Sequence, residues 1–280
     1  MMTSLLPTGS IRRFGRCLRI FSISTAGLVL LGSLIGVLGS LVLPSIASAT
    51  PTTPVTLYAS PNGSGSTCSS SSPCTLPNAI TAASTGNGNA IIELEHTNGT
   101  ACSTSSGCTF TNNTNFSVSG GSEASLTIEG TGSGSDSSAA SVLNGGGSGT
   151  TFTDSASFPV TLENLTVTGG NAGSGGGILN NGGSTMTVVD STISQNSANY
   201  DGGGIYNNGG NMTVVDSTIS GNSASYGGGI FNNGGNMTVT DSTISGNSAT
   251  FGGGIYNEYN MTVVDSTISQ NSATYGGGGI

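Results

Sequence analysis

The chain of 280 residues has little positive charge, and this shortage limits the partners that it can bind. It contains no lysine, and its arginines all lie within the first 19 residues, at Arg12, Arg13, Arg16 and Arg19. Proteins neutralise phosphate backbones with lysine and arginine, so nucleic acid is excluded as a partner of the chain beyond these residues. The 13 acidic residues predict an acidic surface there.

Tryptophan is absent too, and only 6% of the residues are charged, whereas 48 are glycine. Glycine does not recur at every third position, which excludes a collagen triple helix. Intrinsic disorder usually combines low hydrophobicity with high net charge, and the periodic apolar positions of this chain argue against it.

The N-terminal 49 residues have the order of an export signal. The four arginines precede an apolar run from Ile20 to Leu43, and the small residues of Ala47–Ala49 follow it. This order predicts a secretory signal peptide at 1–49, with an uncleaved membrane anchor as the alternative. The predicted location is secreted or cell-surface after bacterial-type export. Membrane contact is expected only through this segment or through a C-terminal anchor missing from the sequence.

Four cysteines follow the predicted signal, at Cys68, Cys74, Cys102 and Cys108. Export favours disulfides over a four-cysteine zinc site. Three pairings are possible for four cysteines. The local pairs Cys68–Cys74 and Cys102–Cys108 are predicted, because each pair closes one short polar loop.

A unit of about 25 residues is repeated along the C-terminal half. The isoleucine of "GGGI" recurs at Ile178, Ile205, Ile230, Ile255 and Ile280. Short β-branched runs between glycine and asparagine turns predict three strands per unit, because these residue types favour strands over helices. No unit can bury its apolar residues alone, so the units are predicted to stack as coils about 4.8 Å apart. Asn222 and its counterparts are predicted to form a ladder of hydrogen bonds between coils.

The predicted organisation has four parts. They are a signal peptide at 1–49, a linker at 50–56, an N-terminal strand and cap region with Cys68 and Cys74 at 57–89, and a parallel β-helix at 90–280. The β-helix is expected to hold about seven coils, with regular repeats from about residue 159. A short helix at Leu76–Ser84 is predicted to cap its N-terminal end. The sequence stops at Ile280 within a repeat, which predicts C-terminal truncation.

Several segments resemble a known family. "LYASPNGSGSTCSSSSPCTLPNAITAA", "LTIEGTG" and "VTLENLTVTGG", followed by the repeats, resemble exported right-handed parallel β-helix proteins of the pectin-lyase-like type. The repeats are similar to those of chlamydial polymorphic outer-membrane proteins, although Ile replaces their Phe before Asn. The resemblance covers about Leu57–Ile280. It implies an all-β fold, a right-handed parallel β-helix with a short N-terminal capping helix, which carries polysaccharide enzymes and adhesive surfaces alike.

Two kinds of side-chain column are candidate binding sites. An outward ring column is a candidate surface for binding sugars or a protein partner, at Tyr206, Phe231 and Tyr256. Self-stacking of the rings, which would shield the coil edge, is the favoured alternative. A second ring column comprises Tyr200, Tyr226, Phe251 and Tyr275. A carboxylate column is a candidate calcium site, at Asp190, Asp216, Asp241 and Asp265. Turn capping is the alternative for the aspartates, and it is favoured because Asn164 occupies the same repeat position.

No residue is assigned a catalytic role. The acids considered for glycoside hydrolysis are Glu93, Glu95, Glu129, Asp154 and Glu163, and His96 is the only histidine. The resemblance implies an arginine base with calcium for a pectate lyase, and the chain beyond residue 19 has no arginine. The predicted function is therefore an adhesin-like, non-enzymatic module that binds extracellular glycans or surface proteins. The alternatives are a polysaccharide-degrading hydrolase or lyase, and a purely structural spacer.

Overall fold

The computed structural model describes residues 53–85, 88–95, 108–121, 124–130 and 141–280. The predicted signal peptide, Cys102 and His96 lie outside these residues. The described residues form 26 strands and one helix, and the strands pair in parallel in four sheets. No helix among the described residues is long and apolar enough to span a membrane.

Two sheets follow one another along each coil. The eight-stranded sheet contains β1 (Val55–Ala59), β2 (Asn89–Leu94), β5 (Ser125–Gly130), β8 (Val160–Glu163), β12 (Thr185–Val189), β16 (Asn211–Val215), β20 (Met237–Thr240) and β24 (Met261–Val264). The seven-stranded sheet contains β3 (Cys108–Thr111), β6 (Ser141–Asn144), β9 (Thr166–Thr168), β13 (Thr192–Ser194), β17 (Thr218–Ser220), β21 (Thr243–Ser245) and β25 (Thr267–Ser269).

Two smaller sheets complete the coils. The five-stranded sheet contains β10 (Asn171–Ala172), β14 (Ser197–Ala198), β18 (Ser223–Tyr226), β22 (Ser248–Phe251) and β26 (Ser272–Ala273). The six-stranded sheet contains β4 (Phe116–Gly120), β7 (Phe152–Ala156), β11 (Ile178–Asn180), β15 (Ile205–Asn207), β19 (Ile230–Asn232) and β23 (Ile255–Asn257). Each strand inside a sheet pairs with its equivalents one coil before and one coil after, so the chain winds as a parallel β-helix. A regular repeat contributes four strands, one more than predicted, because Ser197–Ala198 and its equivalents form the five-stranded sheet.

Identical residues stack on one another in the repeats. Met212 pairs in register with Met186 and Met237, and Ile219 pairs with Ile193 and Ile244. These side chains point inward and are buried, while the threonines between them are half-buried on the outer face. Full burial of one such apolar side chain contributes about 1.5–3 kcal/mol. The predicted stacking of like on like is confirmed.

The glycines before each repeat isoleucine allow the coils to approach closely. A Cβ on Gly203 or Gly204 would lie 2.6 Å from the carbonyl oxygen of Gly228 or Gly229 in the next coil. The backbone N–H of Gly204 donates to the Gly228 oxygen over 3.1 Å. A side chain at either position would therefore separate the coils and break their backbone hydrogen bonds.

The helix predicted near the N-terminal end is confirmed as α1 (Leu76–Ala83). Thr75 caps it by accepting the backbone N–H of Asn78 over 3.3 Å, and its apolar face is buried through Leu76, Ala79, Ile80 and Ala83. Strand β1 begins at Val55, inside the segment predicted as a linker. The strand includes part of this segment because Val55 pairs in register with Ala90 of β2.

Candidate functional site

An open trough crosses the last strands of the five-stranded sheet. Its cavity volume is about 430 Å³, and only small residues line it: Ser223, Ala224, Ser248, Ala249, Thr250, Ser272, Ala273 and Thr274. Strand register places Ser223, Ser248 and Ser272 in one row along the helix axis. The trough therefore presents a row of hydroxyl groups that can donate and accept hydrogen bonds.

Aromatic rings follow the trough residues in each coil. We call Tyr226, Phe251 and Tyr275 the ring wall. The ring centroids of Tyr226 and Phe251 are 5.2 Å apart with planes at 10°, and those of Phe251 and Tyr275 are 5.9 Å apart. Tyr226 and Tyr275 are 37% and 63% exposed, so the wall keeps accessible ring surface.

The other ring column, Tyr206, Phe231 and Tyr256, is less accessible than the sequence suggested. Phe231 is only 5% exposed, because the rings of Tyr206 and Tyr256 lie 5.2 and 5.1 Å from it. Tyr226 connects the two columns through an edge contact with Tyr256 at 5.2 Å. The rings of this column stack on one another, as the alternative predicted, whereas Tyr226 and Tyr275 of the ring wall are exposed. Ligand binding at Tyr206, Phe231 and Tyr256 stays a prediction.

The aspartate column lies at a tight turn between the eight-stranded and seven-stranded sheets. Asp190, Asp216, Asp241 and Asp265 are exposed and have φ of 46°, 48°, 51° and 48°, and Asn164 has a φ of 55°. Aspartate and asparagine tolerate this left-handed conformation better than most residues. In the described part of the chain, no group of three or more acidic, cysteine or histidine side chains could hold a metal ion. The turn conformation explains why aspartate and asparagine recur at this position, and calcium binding by the column stays a prediction.

Three glutamates form a second acidic column on the outer face of the eight-stranded sheet. Glu93, Glu129 and Glu163 pair in register on β2, β5 and β8. Burial raises the pKa of Glu163, and the charges of Glu129 and Asp190 raise it further. We call this set the glutamate column. Val189 takes the place of the glutamate in the next coil, so the column ends at Glu163.

Two ladders of asparagine side chains run along the stacked coils, and they are buried over most of their length. The turn ladder comprises Asn196, Asn222, Asn247 and Asn271, with amide-to-amide hydrogen bonds of 3.0–3.1 Å. It was predicted and is confirmed. The inner ladder was not predicted; it comprises Asn180, Asn207, Asn232 and Asn257, linked over 2.7–2.8 Å. Its sequence signal is the asparagine two residues after each repeat isoleucine.

Two of the remaining acids considered from sequence are buried. Asp154 of β7 is 2% exposed, and burial raises its pKa to about 6 against the opposing hydrogen bond from the Ala156 N–H. Glu95 is 5% exposed, and burial and the charge of Glu93 raise its pKa. Neither lies on the glutamate column.

The cysteine predictions fall partly within the described residues. Cys68 and Cys74 form the predicted disulfide, with Cα atoms 4.7 Å apart. Cys108 is also disulfide-bonded, while its predicted partner Cys102 lies outside the described residues.

Comparison with known proteins agrees with this architecture. Residues 127–280 match the family described as "Right handed beta helix region". No curated protein and no solved structure matches the chain. The finer similarity to chlamydial repeats stays a prediction. Because the match covers more than half of the chain, and the described strands stack in parallel sheets, the chain belongs to the right-handed β-helix family.

Proposed function

We propose that this protein is an exported, adhesin-like, non-enzymatic module that binds neutral glycans in the trough and on the ring wall. The observation that carries the proposal is the parallel course of a hydroxyl row and a row of rings across successive coils. An extended glycan carries hydroxyl groups on its edges and C–H groups on its faces. The hydroxyls pair with serine and threonine, and the C–H faces pack on aromatic rings.

The charge of the chain supports a neutral ligand. The described residues contain eleven acids and no lysine or arginine, so a polyuronate or another anionic polymer would be repelled. The trough itself is lined by uncharged residues only. Neutral glycans are not repelled by the acidic surface and need no charged partner in the trough. Export is supported by the arginine-rich and apolar sequence of residues 1–49, which has the order of a secretory signal.

Affinity electrophoresis of the full chain tests this proposal. We expect migration to be slowed in gels that contain a neutral polysaccharide, and to be unchanged in gels that contain polygalacturonate. The double variant Tyr226→Ala/Tyr275→Ala removes exposed ring surface, and Ala249→Gln fills the trough without adding charge. Both should lose retardation. Tyr259→Ala is the matched control, because Tyr259 is 57% exposed but lies in the turn that follows β23.

Two outcomes would contradict glycan binding. If no neutral polysaccharide slows the full chain, the spacer becomes the better account of the repeats. If the polysaccharides slow all variants equally, binding occurs elsewhere on the surface and the trough has no part in it.

A polysaccharide hydrolase is the second candidate, and the glutamate column favours it. Register partners on adjacent strands lie about 4.8 Å apart, close to the roughly 5 Å between the carboxyl groups of retaining glycosidases. Burial and the neighbouring charges of Glu129 and Asp190 raise the pKa of Glu163, which is the direction that a general acid requires. Under this candidate, Glu163 would protonate the leaving oxygen and Glu129 would be the nucleophile.

Release of new reducing ends from neutral polysaccharides tests the hydrolase. A hydrolase at this column would lose activity in Glu163→Gln and in Glu129→Gln, and would keep it in Asp241→Asn, which changes an exposed turn carboxylate. Absence of new reducing ends with every polysaccharide that slows migration would exclude this candidate.

A further inference from the structure

Asp154 occupies the first rung of the inner ladder, where every later rung has asparagine. Strand β7 places Asp154 in register with Asn180 of the next coil and with Val118 of the preceding coil. The aspartate therefore lies where the irregular N-terminal coils meet the regular repeats. Its side chain is buried, so its hydrogen bonds have to come from the protein.

The inner ladder has a fixed direction. Nδ2 of Asn180 donates to Oδ1 of Asn207 over 2.7 Å, and Nδ2 of Asn207 donates to Oδ1 of Asn232 over 2.8 Å. Nδ2 of Asn232 donates to the next rung in the same way over 2.8 Å. Each rung therefore offers an acceptor oxygen to the rung before it and requires a donor from that rung.

The orientation of Asp154 matches that of the rung above it. Its Oδ1 accepts the backbone N–H of Ala156, two residues on, over 2.9 Å. Oδ1 of Asn180 accepts the N–H of Gly182, also two residues on, over 3.1 Å. Oδ2 of Asp154 therefore takes the place of the donating Nδ2. Both Oδ2 of Asp154 and Oδ1 of Asn180 border one small space, at 3.2 and 3.3 Å from a Cβ placed on Gly182.

We propose that Asp154 is a proton-dependent link between the irregular coils and the regular repeats. When Oδ2 carries a proton, its O–H donates to Oδ1 of Asn180 and extends the ladder by one rung. When the proton is lost, two acceptor oxygens face one another in a buried space, and an uncompensated negative charge remains between the coils.

No positive charge on the strands that pair with β7 would stabilise the ionised carboxylate of Asp154. The two strands that pair with β7 are Phe116–Gly120 and Ile178–Asn180, and neither contains an ionisable side chain. Among the described residues, no charged group contributes to the pKa of Asp154. Burial raises that pKa from 3.8 to about 6, and only the Ala156 N–H opposes it.

The sign of the pH dependence follows from the raised pKa. The stabilising contribution is complete below about 3.8, where the carboxyl is protonated in both states, and is lost as the pH rises through about 6. An increase from 3.8 to about 6 corresponds to a roughly 100-fold increase in the unfolding equilibrium constant. The contribution of Asp154 to the stability of the junction should therefore be greatest at and below about pH 3.8.

Urea unfolding of the full chain between pH 4 and pH 8 tests the proposal with Asp154→Asn. The amide of the variant can donate to Asn180 at every pH. We expect the unfolding constant of the wild type to increase by up to roughly 100-fold relative to the variant across this range. Asp241→Asn is the matched control, because this aspartate is exposed, and its curve should parallel that of the wild type.

A ¹³C NMR titration of the Asp154 carboxyl in the wild-type protein tests the same proposal without a variant. The link requires a midpoint well above the ordinary range of aspartate, near pH 6. A midpoint below about 4.5 would overturn the proposal. So would parallel unfolding curves of the wild type and Asp154→Asn across the whole pH range.

Discussion

Replacement of Asn222 by alanine tests whether the turn ladder holds the coils together. Oδ1 of Asn222 accepts hydrogen bonds from the backbone N–H of Asn196 at 2.9 Å and from Nδ2 of Asn196 at 3.1 Å. Its Nδ2 donates to the carbonyl oxygen of Ile193 and to Oδ1 of Asn247, both at 3.0 Å. Asn222 is 1% exposed, so water cannot replace these partners without opening the coil.

The expected loss follows from the groups that the substitution leaves behind. Nδ2 of Asn196 keeps its bonds to Val167 and Ser194, and Oδ1 of Asn247 keeps the Asn222 backbone N–H. The backbone N–H of Asn196 loses the partner described for it and stays buried, which costs about 1–3 kcal/mol. With the void left by the amide, we expect a loss of about 2–4 kcal/mol in the free energy of unfolding.

Equilibrium unfolding in urea measures this loss, with Asn211→Ala as the matched control. Asn211 lies in the same coil but is exposed, and its Oδ1 accepts one bond, from the Asn236 N–H at 3.0 Å. The control should lose no more than about 1 kcal/mol. Equal midpoints for Asn222→Ala and Asn211→Ala would refute the view that the buried amides hold the stacked coils together.

Two further substitutions test the coil spacing and the glutamate column. Gly204→Ala should destabilise the protein by about 1–3 kcal/mol in urea unfolding, because its Cβ would lie 2.6 Å from the Gly229 oxygen. Gly173→Ala has no atom within 4 Å of the new Cβ, so a comparable loss there would contradict this reasoning. Glu163→Gln removes a carboxyl group whose pKa is raised in the folded protein. The protonated carboxyl stabilises the fold, and this contribution is lost as the pH rises above the ordinary pKa of glutamate. The melting temperature of this variant should therefore increase relative to that of the wild type as the pH rises. Parallel plots of melting temperature against pH would exclude an effect of the column on stability.

The regular coils were predictable because the same pattern of apolar and turn residues recurs in every repeat. Alternation in "MTV" places Met212 and Val214 on one face and Thr213 on the other. A shift by one residue between neighbouring strands would move the apolar side chains to the outer face, so like residues stack in register. The turn ladder followed from the same periodicity. The helix at Leu76–Ala83 has an N-cap threonine and a proline in its first turn, two residue types that are typical of helix starts.

The candidate site was less predictable, because accessibility depends on neighbouring coils. Both ring columns look outward-facing in the sequence, yet Phe231 is buried between flanking rings, while Tyr226 and Tyr275 beside Phe251 are exposed. The trough could have been found from the recurring "NSA" segments. The role of Asp154 could not, since only the register with Asn180 identifies it as a rung of the inner ladder.

Titration of the full chain with neutral oligosaccharides of increasing length tests the central claim most directly. The trough crosses three coils about 4.8 Å apart, so calorimetric affinity should rise with each added sugar up to about three units and then level off. The oligosaccharides should be recovered at their original length. Affinity that is absent or independent of length, or shortened oligosaccharides after the titration, would contradict a non-enzymatic glycan-binding trough.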